Sequence, residues 1–248
     1  MENNFTKVLV CCPTAAVKNY CSEDWIDNVM NFKYPNFQIF MVDNTIDGGA
    51  NAKYLNDMFN AKYGVKNKFL AIHSNTDAIP SVINRMAISH NLCSRYALQN
   101  NYTRILHLES DVFPPADIIE SLMVHNKMVI GGLYFRDEGI RRKIMLQRYC
   151  FPSDSLFNIR AINFKPFEEL GFIDGCVKQV ASVGLGCVLI RSLVLKKIPF
   201  RFVPGESFHP DSYFSEDCFR AGIKIFADTS KICEHRNVKW GIYKVDFS

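Results

Sequence analysis

The first half of the chain alternates between two hydrophobic rhythms. Short unbroken apolar runs at residues 7–12, 37–42, 68–72 and 104–108 read as buried strands. Between them, apolar residues recur at helical spacing. Trp25, Ile26, Val29 and Met30 follow a Ser22-Glu23-Asp24 start, and a helix over about 50–63 follows Gly48-Gly49. A long helix is predicted over 79–99, with Ile79, Val82, Ile83, Met86, His90, Cys93 and Ala97 on its inner face, and a shorter one carries Ile118, Ile119, Leu122 and Met123. Strand and helix in strict alternation imply a parallel sheet with right-handed crossovers.

The second half reads differently. Residues 128–135 form a strand, 136–143 a charged turn, and 144–149 a returning hairpin arm. Residues 151–176 show no regular pattern, and 179–190 form a strand broken by Gly184 and Gly186. A short run at 200–203 precedes a loop over 204–215. A short helix then opens at Ser215-Glu216-Asp217 and ends at Gly222, before a strand at 223–227 and an edge segment at 232–237. These pieces read as an antiparallel addition to the first half, so the expected class is α/β, with a mostly parallel central sheet and antiparallel additions in the C-terminal half.

Composition narrows the setting. The chain has 248 residues, 48% hydrophobic and 22% charged, ordinary for a folded globular protein. Nine cysteines form no C-x-x-C pair and several lie inside apolar runs, so they read as buried free thiols of a reducing compartment. No run reaches the length of a membrane span and no signal-peptide pattern opens the chain, which reads as cytoplasmic. The net charge of +4 suits an anionic ligand such as a nucleotide; it permits a nucleic-acid partner without calling for one.

The candidate chemistry centres on Glu109-Ser110-Asp111, between the apolar run ending at Leu108 and the strand-breaking Pro114-Pro115. In an open α/β sheet, ligands bind at the carboxyl ends of the strands. Alternation puts Glu109 and Asp111 on one side, and two neighbouring carboxylates either need a cation or polar cover or form a solvated acidic turn. A divalent ion shared with phosphate would answer that need. Asp43, ending the second strand, is either a ligand for a base or ribose or an Asx turn. Glu216 and Asp217 are either dipole-complementing residues or a general base. His235 is either a structural histidine or a ligand for a borderline metal. Gly184 and Gly186 either let backbone approach a ligand or mark a kink or bulge, and Arg85 is either a solvated surface arginine or within reach of a diphosphate.

In this order and spacing the motifs resemble the GT-A glycosyltransferases, closest in pattern to the family-2-like nucleotide-sugar transferases. Val42-Asp43-Asn44 resembles the base-binding aspartate, Asn84-Arg85 an inverted Arg-Asn pair, and Glu109-Ser110-Asp111 the D-x-D motif with glutamate in first place. The segment 183–191 resembles the glycine-containing strand beside the donor, 215–222 the E-D helix, and Cys233-Glu234-His235 the late metal histidine. The resemblance covers about residues 7–237. It implies one GT-A domain over 1–248, with a nucleotide-sugar-binding half (about 1–112) and an acceptor-binding and catalytic half (about 113–248). It implies a hexosyltransferase-type, inverting enzyme. Mn²⁺ or Mg²⁺ would sit on Asp111 and His235. Asp43, Arg85, Glu109, Ser110, Gly184 and Gly186 would line a UDP- or GDP-linked donor. Asp217, beside Glu216, would act as base on an acceptor glycan or another hydroxyl-bearing molecule. The loop over 204–215, with His209 and Asp211, would order over the donor. Competing readings are a nucleotidyltransferase, a non-catalytic sugar-nucleotide or glycan-binding module, and a transferase acting on a modified DNA base. Pro13-Thr14-Ala15-Ala16 lacks the glycine-rich loop of a nucleotidyltransferase.

Overall fold

The computed structural model describes residues 6–64, 68–138, 141–147 and 172–237. The apolar runs of the first half form the strands β1 (Val8–Thr14), β2 (Phe37–Asp43), β3 (Phe69–His73) and β4 (Arg104–Leu108). All pair in parallel, in the order β3-β2-β1-β4. The helices between them are α1 (Ser22–Met30), α2 (Ala50–Tyr63) and α3 (Val82–Gln99). A 3₁₀ turn, Ala16–Cys21, links β1 to α1. The predicted start of α3 at residue 79 lies three residues early: Pro80 favours an extended preceding residue, and Ser81 caps the helix by accepting from Asn84 N.

After β4 come a two-residue strand β5 (Val112–Phe113), helix α4 (Ile118–Val124) and strand β6 (Val129–Leu133). The paired strands of the hairpin fall within the residues expected as a charged turn: β7 (Phe135–Glu138) pairs with β8 (Arg141–Ile144), and β9 (Leu146–Gln147) follows. The irregular segment expected at 151–176 lies largely outside the described residues. The glycine-broken strand resolves into β10 (Val177–Val180), β11 (Ser182–Val183) and β12 (Cys187–Arg191). Helix α5 (Ser192–Leu195) follows, and the run at 200–203 is extended without pairing. Helix α6 (Pro210–Arg220) then leads to β13 (Ile225–Ile232) and β14 (Glu234–His235).

Helix α6 departs most from expectation. It opens at Pro210, in its first turn, not at Ser215. Proline has a fixed φ suited to the first helical position, and the N–H it lacks would have no partner there in any case. The second part of the expected loop is therefore helical, Asp211 lies in the first turn, and Glu216 and Asp217 lie well inside the helix.

The central sheet has eight strands in the order β10-β13-β6-β12-β4-β1-β2-β3. Strand β12 runs antiparallel to both β4 and β6, β13 runs parallel to β6, and β10 is antiparallel at the edge. Side-chain alternation divides the core in two. Val10, Met41, Leu106 and Leu189 share one face with Trp25, Leu55 and Ile118 of α1, α2 and α4. Leu9, Phe40, Ile105 and Val188 share the other with Cys93, Val194 and Phe214 of α3, α5 and α6. Cover on both faces explains why the strands read as continuous apolar runs. The eight described cysteines are free, and seven are buried. Among the described residues, no helix is long and apolar enough to cross a membrane.

Leu106 is fully buried at the middle of this arrangement, opposite Val10 on one side and Leu189 on the other. Leu106→Ala is expected to cost about 2–5 kcal/mol of stability, because the removed atoms leave a cavity between two layers. Urea unfolding followed by circular dichroism measures this directly.

Candidate functional site

Strand β4 stops at Leu108 and the chain turns at once, Val112 N donating to Glu109 O at 3.0 Å. The turn is fixed from three sides. Glu109 N donates to Gly186 O, just before β12. The Ser110 hydroxyl lies 2.9 Å from that of Thr14 at the end of β1, and Cys21 Sγ donates to Ser110 O. Beyond the turn, β5 pairs antiparallel with β14, putting His235 opposite Val112, while Arg236 N donates to Asp111 O.

This frame brings Glu109, Asp111 and His235 together, with one potential ligand atom from each lying within 4.8 Å of the others. Asp111 is fully buried. His235 Nδ1 donates to Phe135 O at 2.8 Å, and Nε2 lies 3.6 Å from Asp111 Oδ2. The carbonyl fixes the ring so that Nε2 faces the carboxylates, the usual arrangement of a metal-binding histidine. Burial acts to lower the His235 pKa, but Asp111, Glu109 and the Phe135 carbonyl outweigh it and the pKa lies above its ordinary value. Two carboxylates and an imidazole suit a first-row divalent ion such as Mn²⁺, and the carboxylates also suit Mg²⁺.

The sequence did not single out Lys18. From the 3₁₀ turn it extends its ammonium to 2.9 Å from Asp111 Oδ1 and 3.7 Å from Glu109 Oε2. Burial opposes the charge on both partners, but the pairing prevails: the Asp111 carboxyl is held well below the usual carboxylate range and Lys18 is pushed up. Tyr134 is a second unexpected member. Its phenol pKa is raised by burial and by the carboxylates of Glu109, Asp211 and Asp111, and its ring meets His235 edge-on with centroids 5.2 Å apart. Asp211, at the start of α6, therefore lies within electrostatic reach of the residue that packs against His235.

The other expected site residues divide. Asp43 is fully buried. Its Oδ1 accepts from Thr45 N, Thr45 Oγ1 and Asn51 Nδ2, the Asx-turn pattern. Its Oδ2 has no hydrogen-bond partner and lies 3.8 Å from His73 Nδ1, whose Nε2 is 2.8 Å from Asp77. Asp43, Asp47 and His73 form a second group of potential metal ligands. The Ser110 hydroxyl is paired with that of Thr14, and its backbone carbonyl accepts from Cys21 Sγ. Arg85 is buried with Nη1 donating to Ile79 O and Pro80 O, so its guanidinium braces the segment before α3. Gly184 and Gly186 make room for Tyr134: a Cβ would lie 2.1 Å from its Oη at Gly184 and 2.4 Å from its Cζ at Gly186. The Tyr134 hydroxyl accepts from Gly186 N at 3.0 Å. A side chain fills the space expected for a ligand.

Glu216 and Asp217 do not join the cluster directly. Arg201 Nε donates to Asp217 Oδ2 at 2.8 Å and Nη2 to Asp217 Oδ1 at 3.2 Å and to Glu216 Oε2 at 3.0 Å, and Arg220 also pairs with Glu216. Both oxygens of Asp217 are thus engaged by one guanidinium fork.

No protein-family profile and no curated protein sequence matches the chain. Solved structures are similar to it. S. aureus TarS 1–349 is 15% identical with a TM-score of 0.57, over 93% of this chain and 60% of that one. The same protein in complex with UDP-GlcNAc gives 13% and 0.56, over 93% and 59%. GalNAc-T7 with UDP, GalNAc and Mn²⁺ gives 9% and 0.62, over 94% and 44%. The chain thus spans less than two thirds of the length of each. These neighbours are glycosyltransferases, and with the eight-stranded mixed sheet and the acidic turn at its carboxyl edge they show the architecture: the chain has the GT-A fold of the nucleotide-sugar transferases.

Proposed function

We propose that the chain transfers a sugar from a nucleoside-diphosphate sugar to an acceptor hydroxyl. The observation that carries this reading is the convergence of Glu109, Asp111 and His235 at the carboxyl edge of a GT-A sheet. Asp111 and His235, with Glu109 beside them, would hold Mn²⁺ or Mg²⁺, which when bound supplies positive charge to the departing diphosphate. Tyr134 and the Phe135 carbonyl fix the imidazole so that this charge is preorganised.

Asp43 is the residue for the base. Its Oδ1 is consumed by the turn, and Oδ2 is the acceptor that a base N–H could use once His73 shifts. UDP is the first nucleotide to test, before GDP, because the TarS and GalNAc-T7 complexes hold UDP-GlcNAc and UDP.

For the proton acceptor the geometry favours Asp211 over Asp217. Asp217 already accepts from Arg201 on both oxygens. Asp211 lies within electrostatic reach of Tyr134, and burial, against the lowering pull of His209 and Ser212, raises its carboxyl pKa above its ordinary value. In an inverting transfer the acceptor oxygen bonds to the anomeric carbon as the bond to the diphosphate breaks, and the hydroxyl proton passes to the Asp211 carboxylate. The acceptor is a glycan or another hydroxyl-bearing molecule.

Calorimetric titration with UDP and then GDP, with and without Mn²⁺, is expected to show metal-dependent binding of one nucleotide that Asp111→Ala abolishes. Binding that Asp111→Ala leaves intact would sink the metal site, and no binding at all would favour a module that handles no nucleotide. Asp211→Asn is expected to lower kcat by about 10²–10⁴-fold with nucleotide binding intact, the usual range for a lost general base. Asp217→Asn is expected to leave most of kcat and lower the thermal midpoint instead. The reverse pattern would restore Asp217 as base.

A further inference from the structure

Lys18 stands where a divalent ion would need to bind. Its ammonium takes Asp111 Oδ1 at 2.9 Å and lies 3.7 Å from Glu109 Oε2. Those atoms belong to the two carboxylates that, with His235, make up the donor set. An ammonium seated between these carboxylates competes with a divalent ion for them, because the charges repel at such short range in a largely buried setting.

The backbone bearing Lys18 is anchored. Ala16 N donates to Thr45 Oγ1 at 2.8 Å, Tyr20 Oη to Arg236 O at 2.8 Å, and Cys21 Sγ to Ser110 O at 3.1 Å. The turn therefore cannot carry the ammonium away, but the side chain can. It is long, and about a fifth of it remains exposed, which leaves a solvent-side route out of the clamp. A diphosphate arriving with the metal is the nearest new anion for it to meet, because the 3₁₀ turn directly follows β1 at the same sheet edge.

We propose that Lys18 is a tethered, exchangeable cation: it closes the Glu109–Asp111 clamp in the empty protein, gives way to the divalent ion, and then binds the donor diphosphate. This rests on the reading of Glu109, Asp111 and His235 as a metal site. Lys18 keeps the two carboxylates from repelling while no metal is present. It also makes metal binding and diphosphate binding interdependent, since the diphosphate offers the displaced ammonium a new anion.

The test is Mn²⁺ binding without nucleotide, read from the electron paramagnetic resonance signal of the free ion, in the wild type, Lys18→Met and Lys18→Arg. Removing the competing charge is expected to tighten Mn²⁺ binding about tenfold or more in Lys18→Met. Lys18→Arg keeps the charge and adds a carboxylate-matching fork, so it is expected to bind Mn²⁺ more weakly than the wild type. UDP binding at saturating Mn²⁺ is expected to weaken about tenfold in Lys18→Met, as one phosphate-binding charge is lost. Circular dichroism checks folding, and the charge-preserving Arg variant keeps the test open if the Met variant is unstable. Unchanged or weaker Mn²⁺ binding in folded Lys18→Met, with no loss in Lys18→Arg, would overturn the exchange and leave Lys18 a structural counter-ion. Asp111→Ala separates the two layers. If it leaves wild-type Mn²⁺ affinity untouched, the metal site itself is wrong. If it abolishes Mn²⁺ binding while Lys18→Met fails to tighten it, only the exchange is wrong.

Discussion

Two carboxylates held together inside a protein set the terms for everything around them. Glu109 and Asp111 share one turn, and Asp111 has no exposure to water. Their mutual repulsion and desolvation must be offset by positive charge. Two elements far apart in the chain meet that need, the 3₁₀ turn with Lys18 and strand β14 with His235. The antiparallel strands of the second half extend the sheet beyond β4, and the chain leaving β13 brings β14 back across the acidic turn. The mixed sheet and the site are thus one solution to a single electrostatic problem.

Much of the fold was legible because buried parallel strands leave a strong one-dimensional signature. The runs that become β1 to β4 are apolar on both faces, and α2 falls over the residues its pattern indicated, 50–63. The start of α6 was not legible in the same way. Ser215-Glu216-Asp217 carries a cap-like pattern, and the Pro210 that opens the helix was read as a loop residue. That five-residue difference moves the first-turn carboxylate from Glu216 to Asp211.

Within the site, residues of metal-binding type are readable as candidates, and the charge partners distant in sequence are not. Glu109 and Asp111 stand out by type and by position after a strand, and His235 by type and by the family resemblance. Lys18 lies in an unremarkable polar stretch, and only the fold brings it to Asp111, 93 residues on. Arg201 likewise meets Asp217 only through the packing of α6. A Pro80-Ser81 start signal was present and would have freed Arg85 for its role against the Ile79 and Pro80 carbonyls. The glycines at 184 and 186 are expected to admit a ligand or to mark a kink or bulge; in the structure the Tyr134 ring lies against them.

The pairing of β14 with β5 also imposes an order in time. Synthesis delivers the acidic turn early and His235 late, and the strands between them must find non-local partners before β14 can return, which is the slow part of such a topology. Lys18, carried on the parallel half, meets the turn from within that half. The three-residue cluster of potential ligands is complete only with the last short strand of the described residues.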